Sequence, residues 1–181
     1  EEQEAVMADQ AFVIYRMVVQ AQGGRATCVP LRDFTHDLEA MADAVNGSTR
    51  IVFLANPNNP TGTIFFREAW EDFLRGLPRH VIVVMDEAYA EYVEDKNYPD
   101  SLANLRGEQP IIVLRTFSKI YGLAGLRPGW LYAPAHVVDA VNRIRGPFNV
   151  TTAAQVAGVA ALEDLAFTDK SRAHNDVWLA R

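Results

Sequence analysis

Three unbroken apolar runs restrict most strongly what this chain can fold into. They read "IVFLA", "VIVVM" and "IIVL", and they begin at Ile51, Val81 and Ile111. A strand with one solvated face alternates apolar and polar residues, whereas a strand of a parallel sheet is covered on both faces and is apolar throughout. The runs therefore predict central strands of a parallel sheet with helices on both faces.

Strand-like and helix-like segments alternate along the whole chain. We expect strands in segments 4–9, 25–31, 50–56, 80–89, 110–119 and 129–134, and helices in segments 11–22, 35–45, 67–77, 135–145, 151–164 and 167–181. Gly23 and Gly24 should end the first helix, and Thr35 is the expected N-cap of the second. This alternation predicts an α/β fold with a mostly parallel sheet, in a three-layer α/β/α arrangement.

Composition and charge exclude several classes of protein. The chain has 181 residues, 49% of them hydrophobic, which suits one domain with a substantial core. Its net charge of −6, with scattered lysines and arginines, argues against a nucleic-acid-binding surface. The apolar runs are too short to cross a bilayer. We therefore expect neither nucleic acid nor membrane as a partner, and no metal ion.

The single cysteine is informative about the redox state of the cellular compartment. Cys28 excludes an internal disulfide and is consistent with a reducing cytosol. Its setting in "ATCVPL" predicts a small buried hydrophobic side chain in a strand. The acidic segment "EEQEAVMADQ" lacks the features of a signal peptide, so a cytoplasmic location is expected. The chain lacks an initiator methionine and stops within a helix-like segment, so we expect it to be part of a longer protein.

Polar clusters follow three of the predicted strands. They occupy Asn56–Gly62, Asp86–Tyr89 and Thr116–Lys119. In open parallel sheets, ligands bind at the carboxyl ends of the strands. Three distant segments are thus expected to meet in one crevice.

Two of these residues have a chemistry that fits a carbonyl-containing cofactor. Lys119 follows an apolar strand, and lysine forms Schiff bases with carbonyl compounds. Asp86 ends "VIVVM", where a carboxylate is costly unless it meets a cation, such as a protonated ring nitrogen. Taken alone, Lys119 also fits a surface lysine, and Asp86 a helix cap or a structural ion pair.

The remaining candidates suit a phosphate group. Two hydroxyls and a guanidinium, from Thr116, Ser118 and Arg127, match a dianionic phosphate, which arginine binds bidentately. Taken alone, Arg127 also fits a surface ion pair.

Three further side chains suit a flat ring that carries an oxygen. Tyr89 would direct its hydroxyl to that oxygen, Asn59 would donate to it from a turn, and Phe12, expected to open the first helix, would stack on the ring. Each also has a plainer interpretation, as a packed aromatic, an ordinary turn residue and a core residue.

Taken together, these segments resemble a known family. The series "NPNNPTG", "DEAYAEY" and "RTFSKIYGLAGLRPG" resembles, in order and spacing, the signature of fold-type I pyridoxal-phosphate-dependent aminotransferases. The nearest branch by "LRDFTHDLEAMADAV" and "FLANPNNPTGT" is that of the histidinol-phosphate aminotransferases. The resemblance covers about Glu4 to Leu162.

The resemblance implies roles around the cofactor ring. Lys119 would bind pyridoxal 5'-phosphate covalently and then move a proton between substrate and cofactor. Asp86 would pair with the pyridine nitrogen, and Tyr89 and Asn59 would donate to the phenolic oxygen. Phe12 would stack on the ring.

It also implies a phosphate-binding group of Thr116, Ser118 and Arg127. This chain departs from the family pattern next to that group. It has Pro128 where the family usually has an aliphatic residue, and Trp130 where the family often has tyrosine.

The function implied is transamination, with histidinol phosphate and 2-oxoglutarate as the leading substrates. An aromatic-amino-acid aminotransferase, a threonine-phosphate decarboxylase and a non-catalytic regulatory domain of the same fold remain open. The partners would be a small amino donor and a 2-oxo acid. A homodimer is expected, with its site at the subunit interface.

The resemblance also implies a division of the chain. Residues 1–165 would form the cofactor-binding large domain, incomplete at its N-terminus. Residues 166–181 would begin a linker helix to a C-terminal small domain.

Overall fold

A computed structural model describes residues 3–179 as a twisted sheet with helices on both faces. Within this range the strands are β1 (Glu4–Ala8), β2 (Arg25–Val29), β3 (Thr49–Ala55), β4 (Ile82–Asp86), β5 (Ile111–Thr116) and β6 (Gly129–Tyr132). Their order across the sheet is β2-β1-β3-β4-β5-β6. The first five strands run parallel, and β6 pairs antiparallel with β5. The expected α/β fold with a mostly parallel sheet is confirmed.

Helices alternate with the strands and then complete the chain. They are α1 (Ile14–Ala21), α2 (Leu38–Asp43), α3 (Arg67–Gly76), α4 (Ala135–Ile144), α5 (Thr152–Glu163) and α6 (Leu165–Leu179). The first helix ends where expected, because Gly23 adopts a positive φ of 74° that glycine tolerates best. None of the helices within residues 3–179 is long and apolar enough to span a membrane.

The continuous apolar runs are explained by two cores, one on each face of the sheet. On one face, Val52 and Leu54 of β3 pack in a cluster with Trp70 and Phe73 of α3. On the other face, Ala55 joins a smaller cluster that is closed by α1. Because successive strand residues point to opposite faces, a strand between two cores is apolar at nearly every position.

Two local expectations are wrong. Cys28 is exposed rather than buried, because β2 is an edge strand and Val29 is its only fully buried residue. The N-cap of α2 is Asp37, whose carboxylate accepts a hydrogen bond from the backbone N–H of Ala40 at 3.1 Å. Thr35 instead pairs with Arg32 in an isolated β-bridge.

The strand order positions the polar clusters. The chain leaves β1 toward β2 on one side and returns to β3 on the other, which opens a crevice at the carboxyl ends of the strands. The clusters that follow β3, β4 and β5 lie side by side there, because these strands are neighbours in the sheet.

Candidate functional site

A carboxylate held from two directions forms the base of the site. Asp86 is the last residue of β4 and is half-buried. Its Oδ1 accepts a hydrogen bond from the backbone N–H of Ala88 at 3.0 Å, and its Oδ2 accepts one from the hydroxyl of Tyr15 at 2.6 Å. The position of this carboxylate is therefore fixed by both the turn after β4 and helix α1.

Five of the eight side chains predicted for the site line one pocket of about 50 Å³. They are Phe12, Asn59, Asp86, Tyr89 and Lys119. Tyr15, Ala55, Pro57 and Ala88 complete the lining. The first and second polar clusters and the lysine of the third thus meet in one place.

Lys119 lies at the exposed rim of this pocket. It follows β5 in a tight turn, and its Nζ is 4.8 Å from the centroid of the Tyr89 ring. An ammonium at this distance over an aromatic face is attracted by the ring quadrupole. The amine therefore lies next to Tyr89, which follows Asp86 after one short turn.

Thr116 and Ser118 lie outside the pocket, at the start of the turn that carries Lys119. The Oγ1 of Thr116 accepts a hydrogen bond from the backbone N–H of Ser118 at 3.0 Å and donates to the carbonyl of Pro128 at 3.4 Å. Thr116 therefore orders the turn and ties it to the segment before β6.

Arg127 is the third predicted residue that lies outside the pocket. It is exposed, and its Nη1 donates to the carbonyl of Ala124 at 2.8 Å. Its backbone is left-handed, with φ at 61°, which is uncommon for a residue with a side chain. Such conformations cluster at functional sites. Its guanidinium is bonded within its own turn and does not line the pocket.

Phe12 also differs from expectation in its backbone setting. It precedes α1, which begins at Ile14, and does not open the helix. Its ring lies edge-on to Tyr15, with 5.7 Å between centroids. It is 40% exposed and contributes to the lining of the pocket.

The loop that presents Asn59 is held by its neighbour, Asn58, whose role the sequence did not indicate. The side-chain amide of Asn58 donates to the carbonyl of Gln10 at 3.0 Å and to Oγ1 of Thr61 at 2.9 Å. Its Oδ1 lies 3.2 Å from Nε2 of His36. Since a carbonyl only accepts, the bond to Gln10 fixes the orientation of the Asn58 amide, and Nε2 of His36 lies between Oδ1 of Asn58 and the backbone N–H of Ala55, which is 3.4 Å away.

The imidazole of His36 is buried and uncharged. Its Nδ1 has no hydrogen-bond partner within residues 3–179. Burial lowers the pKa of His36 to about 4, and the bond to Asn58 opposes this only in part. The loop is therefore anchored by a neutral histidine.

Tyr15 is the main residue of the site that sequence reasoning missed. It is buried and stacks on Phe53 with 4.9 Å between ring centroids. Burial raises the pKa of the Tyr15 hydroxyl, and the neighbouring Asp86 carboxylate raises it further. The available signal was its position three residues after Phe12, a spacing that places two side chains on the same side of a helical segment.

A buried ion pair lies directly behind the site. Glu87, next to Asp86, is almost completely buried, and its Oε2 accepts from Nε and Nη2 of Arg115 at 2.9 and 2.7 Å. A second carboxylate, that of Glu91, lies 3.7 Å from Nη1 of Arg115. Burial raises the pKa of Glu91. This cluster joins the ends of β4 and β5.

Larger cavities also lie among the described residues. One of about 440 Å³ adjoins it and shares Pro57, Asn59 and Tyr89 with it. Another of about 790 Å³ is lined by residues of α2, α3 and the segments before them, and shares no residue with the pocket. The strand ends and the converging polar groups make the smaller pocket the candidate site.

The family model for aminotransferase class I and II matches residues 1–176. The chain belongs to this family. A histidinol-phosphate aminotransferase of Moorella thermoacetica is 54% identical over 95% of this chain and 45% of its own length. A histidinol-phosphate aminotransferase 1 of Cupriavidus pinatubonensis is 51% identical over 93% of this chain and 45% of its own.

A solved structure is similar over the same range. The histidinol-phosphate aminotransferase of Sinorhizobium meliloti, crystallised in complex with pyridoxal-5'-phosphate, superimposes with a TM-score of 0.88 at 32% identity. The match covers 94% of this chain and 47% of that one. The chain thus spans about half the length of the family members that it matches.

Proposed function

We propose that the protein is a pyridoxal-phosphate-dependent aminotransferase that takes histidinol phosphate as amino donor and 2-oxoglutarate as acceptor. The observation that carries this proposal is the convergence of Lys119, Asp86, Tyr89 and Asn59 on one pocket at the strand ends. The names of the relatives at 54% and 51% identity support the choice of donor.

The residues present fit the ring of the cofactor. A carboxylate with unused lone pairs lies at the base of the pocket, an amine at its rim and aromatic rings at its sides. At about 50 Å³, the pocket is much smaller than the ~300 Å³ or more of a typical ligand site. It would hold part of the ring, with the phosphate group outside it, near Thr116 and Ser118.

Bound pyridoxal phosphate would supply an electron sink that stabilises negative charge at the substrate Cα. Lys119 would bind the cofactor through Nζ and, once released, use the same nitrogen to carry a proton to and from that carbon. Asp86 would hold a proton at the pyridine nitrogen. Tyr89 and Asn59 would donate hydrogen bonds to the phenolic oxygen.

Thr116, Ser118 and Arg127 would bind the phosphate. For Arg127 this requires that its guanidinium leave the carbonyl of Ala124, a movement of one side chain in an exposed turn. The adjoining cavity of about 440 Å³ has room for the substrate, since it opens onto the same Asn59 and Tyr89.

We also propose that the protein is a cytoplasmic homodimer. The outer side of α1 supports self-association, because Val13, Ile14, Met17 and Val18 are exposed there next to the pocket. Residues 1–165 would form the large domain, and α6 would begin the linker helix.

Reduction with borohydride tests the covalent role of Lys119. The complete natural protein is incubated with pyridoxal phosphate, reduced and digested, and the labelled peptide is identified by mass spectrometry. We expect the label on Lys119, its loss in Lys119→Ala, and its retention in Lys170→Ala, which removes an exposed lysine of α6. A label that is absent from wild type, or unaffected by Lys119→Ala, would contradict the proposal.

The choice of substrate is tested separately. Histidinol phosphate, an aromatic amino acid and threonine phosphate are each mixed with the cofactor-loaded protein, and single-turnover rates are compared. The proposal requires the fastest turnover and a keto product with histidinol phosphate. Release of carbon dioxide from threonine phosphate, or no turnover with any donor, would favour the decarboxylase or the regulatory alternative.

A further inference from the structure

We infer that Tyr15 is a positioning residue that keeps the shared proton on the cofactor ring nitrogen through its hydrogen bond to Asp86. The inference deepens the proposed function and rests on it.

The first step concerns the lone pairs of the Asp86 carboxylate. Oδ1 accepts from the N–H of Ala88 and Oδ2 from the hydroxyl of Tyr15. Each carboxylate oxygen accepts about two hydrogen bonds, so each retains capacity for one more donor. The two existing donors come from different elements and restrain rotation of the carboxylate. A protonated ring nitrogen would therefore meet an acceptor of fixed direction.

The second step concerns the rigidity of Tyr15. Its side chain is only 5% exposed. One face of its ring stacks on Phe53 of β3, nearly parallel at 9°, and Phe12 lies edge-on at 85°. The ring is thus packed between the sheet and the pocket edge. Its hydroxyl cannot leave Asp86 without displacing these neighbours.

The third step concerns where the proton resides. Because burial raises the pKa of Tyr15, its hydroxyl stays protonated and acts toward the carboxylate only as a donor. At 2.6 Å it is a short, charge-assisted bond. A hydrogen bond to the charged form of an acid stabilises that form. Asp86 therefore takes up the ring proton less readily when Tyr15 donates to it.

Other titratable side chains line the same pocket. They are Tyr89, from the turn after β4, and Lys119, from the turn after β5. In the part of the chain that the structure describes, neither donates a hydrogen bond to Asp86, whereas Tyr15 does so directly. The effect of Tyr15 on the shared proton is therefore separable from theirs.

The test follows the ring nitrogen itself. The complete natural protein is loaded with pyridoxal phosphate labelled with ¹⁵N in the ring, and the ¹⁵N chemical shift is recorded against pH. In wild type we expect a pyridinium shift at neutral pH. In Tyr15→Phe we expect this neutral-pH shift to move toward that of an unprotonated ring nitrogen, because the ratio of the two positions of the shared proton changes by about tenfold in favour of Asp86, the effect of one hydrogen bond to a charged group.

Two further proteins make the result specific. Tyr98→Phe removes a partly buried tyrosine hydroxyl, one that donates to the carbonyl of Asn56, and should leave the neutral-pH ¹⁵N shift unchanged. Replacement of Tyr15 by 3-fluorotyrosine strengthens the donor and should move this ¹⁵N shift the opposite way from Tyr15→Phe. This second variant keeps the test valid if Tyr15→Phe fails to fold.

The outcomes separate this inference from the proposed function. If the wild-type protein binds no labelled cofactor, the proposed function is wrong, and the inference falls with it. If wild type shows the pyridinium shift and both Tyr15 variants show the same shift at neutral pH, the function stands and the inference is overturned. An equal shift in Tyr98→Phe would also overturn it.

Discussion

At the residue scale, Asp86 and Glu87 show how one strand end serves two purposes. Successive strand residues point to opposite faces, so Asp86 faces the pocket while Glu87 turns toward Arg115. One carboxylate is left accessible to a ligand, and the other is neutralised within the fold. The buried pair holds β4 and β5 together directly behind the site.

We predict that Arg115→Met destabilises the protein by about 3 kcal/mol, because it leaves the carboxylate of Glu87 buried without its cation. The measurement is the free energy of unfolding in urea. Arg79→Met is the matched control, since the Arg79–Glu108 pair is exposed on both sides and should contribute at most about 1 kcal/mol. Equal losses in the two variants would contradict the prediction.

The neutral imidazole of His36 makes a second prediction at this scale. Its pKa is lowered to about 4 in the fold from an ordinary value of 6.5, so the unfolded chain binds a proton first as pH falls. The free energy of unfolding therefore keeps its full value above about pH 6.5. As the pH falls toward 4, protonation of His36 in the unfolded chain lowers it progressively, by about 3 kcal/mol in all.

The check is the free energy of unfolding at pH 7 and pH 4.5 in wild type and His36→Gln. Glutamine retains a donor for Asn58 but does not titrate, so its stability should fall less over this interval. His80→Gln, which removes an exposed histidine, is the control for the loss of one imidazole. An identical fall in wild type and His36→Gln would show that another group is responsible.

The sequence located most of the site but could not describe its internal contacts. Polar residues after apolar runs identified Asp86, Tyr89 and Lys119, because strand ends are visible in the pattern. Tyr15 was not identified, since its partner lies 71 residues away and helical spacing does not reveal which strand end a side chain faces. The ligand roles of all eight residues stay predictions.

At the element scale, the antiparallel contact of β6 with β5 depends on a glycine. A Cβ built on Gly129 would lie 3.0 Å from the carbonyl oxygen of Arg115, closer than normal packing allows. That oxygen belongs to the neighbouring backbone and cannot move alone. The two strands would therefore have to move apart by a few tenths of an ångström to accept a side chain at this position.

We predict that Gly129→Ala destabilises the protein by about 1–3 kcal/mol, the usual cost of overpacking. It should also weaken binding of pyridoxal phosphate, because Thr116 lies next to the displaced strand. Unfolding in urea and equilibrium dialysis measure the two effects. Gly125→Ala is the control, since a Cβ there meets open space in the loop before β6. A stable Gly129→Ala protein would mean that the strands adjust without cost.

Strand positions were predictable from sequence, but their exposure was not. Apolar runs mark β3, β4 and β5 because these strands have a core on each face. The segment around Cys28 was also predicted as a strand with a buried cysteine, yet β2 is at the edge, and edge position depends on strand order. In α2 a carboxylate two residues beyond Thr35 provides the cap, because Thr35 is used in a bridge.

At the scale of the whole molecule, the strand order explains why distant motifs form one site. Placing β3, β4 and β5 side by side brings together segments that are separated by tens of residues in sequence. Consecutive strands are usually neighbours in such sheets, so the meeting of the three clusters could be anticipated, whereas the full strand order could not. The choice of substrate stays a proposal, because the chain spans about half the length of its relatives.

The surface of α1 allows a last prediction at this scale. The inner side of this helix directs Tyr15 to Asp86, while its outer side exposes Met17, which is 55% accessible, and its apolar neighbours. Exposed apolar side chains grouped on one helix are typical of surfaces that are covered in an assembly. A second copy of the chain packed against α1 would lie beside Phe12 and would narrow the open side of the pocket.

We therefore expect sedimentation velocity to show a dimer of the complete natural protein, and Met17→Glu to raise the monomer fraction. Arg16→Glu is the matched control, because it changes the charge of the adjacent exposed residue without removing apolar surface. If both variants dissociate equally, charge and not apolar contact governs the assembly. If Met17→Glu remains fully dimeric, a different face is used. Since a partner on α1 would enclose the pocket, dissociation by Met17→Glu should also weaken the affinity for pyridoxal phosphate in parallel.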